Sequence, residues 1–359
     1  MSKVFKFGGS VITDAFAVKK IAKIIENTDD LRFVVLSATY NTTNKLEDAY
    51  RKFLNKEDYH KVLDDLLLHH IEISKDLNLD LKNDLRELFN VTHDSKALVG
   101  LTSEEVLDHF YSIGELASSK ILSSYLSASD KKFSFLDVRN ILVTNTVPKA
   151  ASPLLLETKK RIETLDSEKV YITQGFLGKS VDGITRTLGR EGSDYTGAIL
   201  SWCIDANSLT IWKDVEGIHS CDPSRFRRTS IIKKLSYKSA TTLTRLGAKV
   251  LFSRTMEPLE NKGISLFVRS VFLKNQGTEV CHEGSEFFSV TAKDYDTTDS
   301  IVSVVFSPEH KLISKLLENP FKADFFEQGP DFISFKINKH REEDLIEKIL
   351  DLQDTVDCK

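Results

Sequence analysis

The side chains that most invite a chemical reading in this sequence are cations set beside glycines, a pairing suited to neutralising an anion. In KVFKFGGSVITD, Lys6 closes a short apolar run and is followed by Gly8, Gly9 and Ser10. A turn of this kind offers backbone N–H donors, and a lysine at the strand end adds a point charge. In the common G-x-x-x-x-G-K-S/T loop the lysine follows the glycines, whereas here it precedes them. The same residues also make an ordinary tight turn. Further along, LGREGSDYT brackets Arg190 between Gly189 and Gly192 and leads through Ser193 and Asp194 into a helix expected to begin near Tyr195. A glycine-rich loop at a helix N-terminus presents free N–H groups to an anion, and an arginine there adds a planar fork for a carboxylate. The plain alternative is a hairpin tip with Ser193 or Asp194 as the helix cap.

Other stretches carry polar groups at places where ligands bind. SATYNTTNKL puts Ser37 and Thr43 after an apolar run, at the strand edge where open α/β sheets receive ligands. Thr43 or Asn44 can equally cap the helix that follows. In SIGEL, Ser112 and Glu115 have the spacing of a capping box, and spacing alone favours the cap. A ligand role for Glu115 requires its carboxylate to face a cleft. IWKDVEG sets Lys213 and Asp214 at a strand end, where the plain reading is a loop, and GAKVL carries Lys249 just after a glycine.

These residues need a frame that brings them together. Asp14 is placed to cap a helix on which Val18, Ile21 and Ile25 recur on one face. Phe33-Val34-Val35-Leu36 is a continuous apolar run of the kind found in buried parallel strands. From about Lys45 to Phe89 the sequence reads as helix with few breakers, with VLDDLLLHHIEI inside it as a helical insertion. A second helical unit is expected near SIGELASSKILSSYL, and FSFLDV, KVYITQGFLG and SLTIWKDV read as strands. Strands alternating with helices predict an α/β fold, a largely parallel sheet with helices on both faces. After GTEVCHEGSEF the composition shifts, and from Ile301 the order is strand, helix, strand, strand, helix, a small appended α+β unit.

A chain of 359 residues has room for two domains. A formal net charge of −4 argues against nucleic acid as a partner, which calls for a basic face. No apolar run is long enough to span a bilayer, and Lys3 and Lys6 interrupt any signal-peptide core, so no membrane association is expected. Cys203, Cys221, Cys281 and Cys358 lie far apart without a CxxC pair. That pattern predicts reduced thiols in the cytoplasm rather than a disulfide frame or a zinc site. His69 and His70 are adjacent and so point in different directions on a helix, and no protein-bound metal is expected.

Taken in order, these stretches resemble the aspartate kinases of the amino-acid kinase fold. The match runs from Lys3 to about Val280 through KFGGS, VVLSATYNTTNKL, SIGE, LDVR, TQGFLG, LGREGSDYT, IWKDVEG, GAKVL and PLENKGISLFVRS. SIGE together with LGREGSD separates it from the carbamate, glutamate and uridylate kinase relatives. The resemblance implies a catalytic domain over 1–282, with an acceptor lobe over about 1–165 and a nucleotide lobe over about 166–282, followed by one ACT-like domain over 283–359. It implies ATP-dependent phosphorylation of the side-chain carboxylate of L-aspartate, the first step towards lysine, threonine and methionine. Lys6, Gly8, Gly9 and Ser10 would hold ATP phosphates, with Mg2+ riding on them. Ser37, Thr43 and Ser193 would line the aspartate pocket, Glu115 would take the substrate ammonium, and Arg190 its α-carboxylate. Asp194 would help order the phosphate lysines and the substrate, Lys213 and Asp214 would contact the nucleoside, and Lys249 the phosphate end of ATP. A homodimer through the ACT-like domain is also implied.

Such a reaction needs no general base, because an aspartate side chain with a pKa of about 3.9 is already ionised. The absence of a Ser-His or His-Asp pair is therefore in keeping with it. The obstacle is bringing an anion to an anion, which lysines, backbone N–H groups and Mg2+ neutralise. The sequence also departs from the family. Phe252-Ser253 stand where His-Pro usually follows GAKVL, Ser239 and Thr242 where glutamates are usual, and Ser224 where an arginine is usual, with Arg225 one place later. Those departures motivate two other readings, a non-catalytic paralogue that binds an amino acid or a partner subunit, and a kinase of another small amino acid. The tail has room for one ACT-like module without its last strand, and no glycine in SPEHK, so weak or absent feedback by lysine or threonine is expected.

Overall fold

In the computed structural model the alternating pattern resolves into strands and helices over residues 2–93, 98–248, 253–274, 277–307, 310–318, 320–321 and 323–357. They form two compact units, Met1–Asp214 with Arg269–Lys274, and Val215–Val268 with Asn275–Lys359. The first unit runs β1 (Lys3–Phe7), α1 (Ala15–Glu26), β2 (Leu31–Leu36), α2 (Thr42–Leu54), α3 (His60–Asp76), α4 (Lys82–His93), α5 (Ser103–Ser129), β3 (Phe133–Leu136), β4 (Val143–Thr144), α6 (Leu155–Ile162), β5 (Val170–Gln174), β6 (Leu177–Ser180), β7 (Thr185–Thr187), α7 (Gly192–Cys203) and β8 (Ser208–Lys213). Its main strands are parallel in the order β3-β5-β2-β1-β8. β1 is central, with Lys6 opposite Val35 of β2 and Ile211 of β8. Helices cover both faces, which is why β2 and β5 are buried without alternation. A small sheet, β4-β6-β7, stands beside it.

Local chemistry sets the ends of these elements. The Ala17 N–H donates to Asp14 Oδ1 at 2.8 Å, the expected cap of α1. The helical stretch from Lys45 to Phe89 is three helices, because Lys56 and Asn78 adopt left-handed φ of 60° and 59° and stop α2 and α3. KVYITQGFLG is two strands in different sheets, turned at Gly175 and Phe176, the latter at φ 70°. α2 and α7 are entered through Asn41 and Glu191, both left-handed and without a side-chain cap bond. Thr43, Asn44, Ser193 and Asp194 therefore are not caps.

The expected capping box at Ser112 and Glu115 is corrected by the structure. α5 starts ten residues earlier, and its box is Thr102 with Glu105: the Glu105 N–H donates to Thr102 Oγ1 at 3.3 Å and the Thr102 N–H to Glu105 Oε2 at 2.8 Å. The helical face continues N-terminally through Val106, Phe110 and Ile113, all buried, so Ser112 and Glu115 fall in mid-helix.

The second unit holds β9 (Lys234–Ser236), α8 (Tyr237–Arg245), α9 (Ser253–Lys262), β10 (Ser265–Ser270) up to Val268, β11 (Thr278–Cys281), β12 (Phe288–Asp294), β13 (Asp299–Phe306), α10 (Leu312–Leu317), β14 (Asp324–Gln328), β15 (Phe332–Asn338) and α11 (Glu342–Asp357). β12-β13-β15-β14 form an antiparallel sheet with its own core, including Val302, Val304, Phe335, Ile346 and Ile349. This is the small α+β tail, and its form fits an ACT-like domain. It has one strand more than expected, because β12 precedes the run at Ile301 and pairs along β13. Among the described residues no helix is long and apolar enough to cross a membrane. Cys203, Cys221 and Cys281 are free thiols, and Cys358 lies outside the described residues.

If α5 is capped at Thr102, Thr102→Ala should cost about 1 kcal/mol in urea unfolding. Ser112→Ala should cost much less, since alanine is the better residue inside a helix. The opposite ranking would restore the cap at Ser112.

Candidate active site

The parallel strands β1 and β8 end side by side, and their last residues bring two lysines to one carboxylate. Lys6 Nζ lies 2.5 Å from Asp194 Oδ1, and Lys213 Nζ lies 3.6 Å from Asp194 Oδ2. Asp194 sits in the first turn of α7 and is 1% exposed, and Lys6 is 4% exposed. Burial alone would raise the Asp194 carboxyl, but the two ammonium groups hold it below the usual carboxylate range. Two cations on one anion leave the centre positive. The glycine turn stands over it, tied to the end of β8 by Ser10 Oγ, which donates to Asp214 Oδ1 at 2.9 Å. A Cβ on Gly8 would stand 3.8 Å from Lys6 Nζ and 3.9 Å from Ser10 Oγ. Glycine leaves that ground between an ammonium and a hydroxyl open, as a phosphate oxygen requires.

A cavity of about 550 Å³ opens beside this centre. Of the residues singled out from sequence, Lys6, Gly9, Ser10, Ser37, Thr43, Glu115, Arg190 and Ser193 line it. Two glycines make the approach of its walls possible. A Cβ on Gly114 would stand 2.8 Å from Ala38 Cβ and 2.9 Å from Thr42 Cγ2, so α5 lies against the 37–42 turn only because Gly114 has none. A Cβ on Gly175 would collide with Ser193, which explains the glycine of TQGFLG at the start of α7.

The cavity has two poles. Glu115 is 3% exposed, and its Oε2 has no hydrogen-bond partner among the described residues. Burial pushes its carboxyl up to about 8, with backbone N–H groups and the Lys6 charge offsetting only part. Arg190 is exposed and makes no ion pair among the described residues. A buried acid and an available guanidinium facing one space suit a ligand that carries both an ammonium and a carboxylate.

Gly8, Asp194, Lys213 and Asp214 are not part of the cavity lining, though Lys6, which contacts Asp194, is. Lys249 and Phe252 lie outside the described residues. Sequence reasoning missed Tyr111, Phe176 and Lys149, all of which line the cavity. Tyr111 was within reach, because Leu107, Tyr111 and Glu115 recur at intervals of four on α5. Lys149 carries no local signal. Among the described residues no group of three His, Cys, Asp or Glu side chains is placed to hold a metal.

Comparison with known proteins adds an independent line. The model of the amino acid kinase family matches residues 1–270. The chain is 33% identical over 291 residues to lysine-sensitive aspartokinase 3 of Escherichia coli, covering 78% of this chain and 64% of that one. It is 30% identical over 323 residues to the chloroplastic bifunctional aspartokinase/homoserine dehydrogenase 2 of Arabidopsis thaliana, covering 85% of this chain and 35% of that one. It thus spans about a third of the plant relative and less than two thirds of the bacterial one. The crystal structure of E. coli aspartokinase III in complex with aspartate and ADP matches with a TM-score of 0.75 at 26% identity, covering 94% of this chain and 79% of that chain. Its lysine and aspartate complex matches in fold with a TM-score of 0.79 at 22% identity, covering 97% and 98%.

The unpartnered acid has a measurable cost. An acid whose pKa is raised on folding binds a proton more tightly in the native state. Its penalty is absent below the ordinary glutamate range and grows as pH rises towards 8. Glu115→Gln should therefore stabilise the unliganded protein at pH 8, on the order of 2 kcal/mol, and have little effect near pH 4.5. Coincident urea midpoints at pH 8 would refute an uncompensated buried Glu115.

Proposed function

The chain belongs to the amino acid kinase family, and from that premise we propose that it transfers the γ-phosphoryl group of ATP to the side-chain carboxylate of L-aspartate, acting in the cytoplasm. The observation that carries this reading is the buried Lys6–Asp194 pair, joined by Lys213, beside a cavity bearing Glu115 and Arg190. One part is fitted to phosphate and the other to an α-amino acid.

The roles follow from the chemistry of each group. A carboxylate oxygen of the acceptor attacks the γ-phosphorus, the bond to the bridging oxygen breaks, and ADP leaves without any proton transfer. Lys6 offsets the charge of the two approaching anions, and Asp194 holds its ammonium in place. Lys213 shares the same carboxylate, which favours a place for it beside the phosphates over the nucleoside contact first expected. The N–H groups at Gly8 and Gly9 and the Ser10 hydroxyl would receive phosphate oxygens. Mg2+ bound to the nucleotide would supply further neutralisation, since that ion usually keeps few protein ligands. Arg190 would take the α-carboxylate as a bidentate pair. Glu115 would take the ammonium, which restores to its carboxylate the partner it lacks. Ser37, Thr43 and Ser193 would surround the acceptor.

The central test is purified protein with ATP, Mg2+, hydroxylamine and a set of amino acids. Aspartate should yield the hydroxamate. No hydroxamate from any amino acid, with aspartate binding in calorimetry, would favour the binding-only paralogue. Lys6→Met should lower kcat by at least about 100-fold, as expected for loss of transition-state charge stabilisation. Arg190→Ala should mainly raise the aspartate KM.

The Glu115 carboxyl adds a pH signature. In the empty site it is mostly protonated at neutral pH, and an ammonium ligand requires it ionised. Aspartate affinity should weaken roughly tenfold for each pH unit below about 8. A flat profile between pH 6 and 8 would remove Glu115 from ammonium binding.

For the tail, over 283–359, the reading is one ACT-like domain that pairs with a second copy, with weak or absent inhibition by lysine or threonine. β14 supports the pairing: it is the sheet edge, exposed throughout, and carries Phe325 and Phe326 at 51% and 43% exposure. Such an edge is a template for another strand. Light scattering should give a dimer, and Phe326→Asp should shift it towards monomer. A monomeric parent protein at micromolar concentration would end this part of the proposal.

A further inference from the structure

Asp108 is a fully buried carboxylate on α5, two turns before Glu115, and the roles above do not use it. Its partners are all donors. The Thr187 hydroxyl donates to Oδ1 at 2.6 Å, and the Lys149 N–H lies 3.2 Å from each carboxylate oxygen. Both partners line the cavity. Thr187 ends β7, three residues before Arg190. Lys149 lies on the strap between β4 and α6 and is held at φ 61°, a left-handed conformation that costs a lysine energy.

The strap and the arginine loop are packed together at the same place. The Ala151 N–H donates to the Thr187 carbonyl at 3.0 Å. The Lys149 carbonyl oxygen would stand 3.0 Å from a Cβ on Gly189. One carboxylate thus gathers the helix that carries Glu115, the strand that leads into Arg190, and the strap that closes against Gly189. An ionised carboxylate is acceptor-only and can serve all these donors, whereas an asparagine would turn an NH2 group towards one of them. Burying a carboxylate is costly, and burial raises the Asp108 carboxyl despite these hydrogen bonds. The neighbouring Arg186 guanidinium, itself bonded to Glu105 at 2.8 Å, contributes some compensating field.

We propose that Asp108 is a positioning residue for acceptor recognition: by tying Thr187 and Lys149 to α5 it fixes the span between Glu115 and Arg190, and with it which α-amino acid the cavity accepts. This rests on reading the cavity as an amino-acid site. It places the effect of Asp108 on the acceptor side and not on the Lys6–Asp194–Lys213 centre.

The test uses Asp108→Asn and Thr187→Val in the full chain, with steady-state kinetics for both substrates. Asp108→Asn should raise the aspartate KM at least tenfold, while kcat and the ATP KM stay within twofold of the parent. Thr187→Val, which removes only a hydroxyl, should raise the aspartate KM less, and carries the test if Asp108→Asn does not fold. The double variant should be no worse than Asp108→Asn alone, because both changes cut one tie. An unchanged aspartate KM, or parallel loss in kcat and ATP KM, would overturn the inference. If the parent turns over no amino acid, aspartate binding by calorimetry replaces KM. Equal binding by parent and variants then overturns this inference alone. A parent that neither binds nor phosphorylates aspartate overturns the functional reading and this inference with it.

Discussion

The carboxylate of Asp194, buried between the ammonium groups of Lys6 and Lys213, is the constraint around which the first unit is arranged. A carboxylate taken out of water is tolerable only when cations compensate it at close range. Such contact demands that β1, β8 and the first turn of α7 end within a few ångströms of one point. Parallel neighbours β1 and β8 meet this demand because their C-terminal ends lie on one edge of the sheet. The turn of Gly8 and Gly9 then has to leave the strand at the same edge, and Ser10 ties it back to Asp214. The position of the phosphate-type loop is in this sense a consequence of the ion cluster.

The opposite pole of the cavity obeys a different rule. Asp194 is buried with two cations, while Glu115 is buried with an oxygen left over. The first arrangement compensates its buried charge, and the second stores a cost that an ammonium ligand would relieve. Both acids are nearly inaccessible, so burial alone does not tell them apart. What separates them is the company each keeps, and the carboxyl of one is held low while that of the other rises to about 8. Two carboxyls pushed apart in this way are a stronger functional marker than either one alone.

Most of the frame was legible in the residues. The cap at Asp14, the buried strand at Phe33–Leu36, and the alternation of strand and helix follow from periodicity and turn chemistry. Failures came where tertiary contact overrode a local signal. Ser112 and Glu115 have perfect capping spacing, yet the buried face of α5 begins earlier, at Val106, and absorbs them into mid-helix. Of the left-handed residues that divide one helical stretch into three, Asn78 is a residue type that favours such a stop, whereas Lys56 carries no mark of one. Lys149 is similar: its backbone is left-handed, and its N–H is held by Asp108, a partner 41 residues away. Spacing within a motif cannot report a bond of that length.

The departures from the family pattern look different once their contacts are known. Within the second unit, Ser224 bonds to Asp222, Ser239 to the helix-capping Ser236, and Thr242 to the buried Asp331 before β15. Arg225, one place beyond where an arginine is usual, lies 2.6 Å from Glu342 and 3.1 Å from Glu343 at the start of α11. Arg228 reaches Glu347 and Asp351 on the same helix. Exposed pairs of this kind contribute little one by one, but Glu342 is buried and the set lies along one helix. These positions therefore have structural work within the unit that contains the tail. Their substitution does not by itself imply erosion of the ion cluster in the first unit, where Lys6 and Lys213 both reach Asp194.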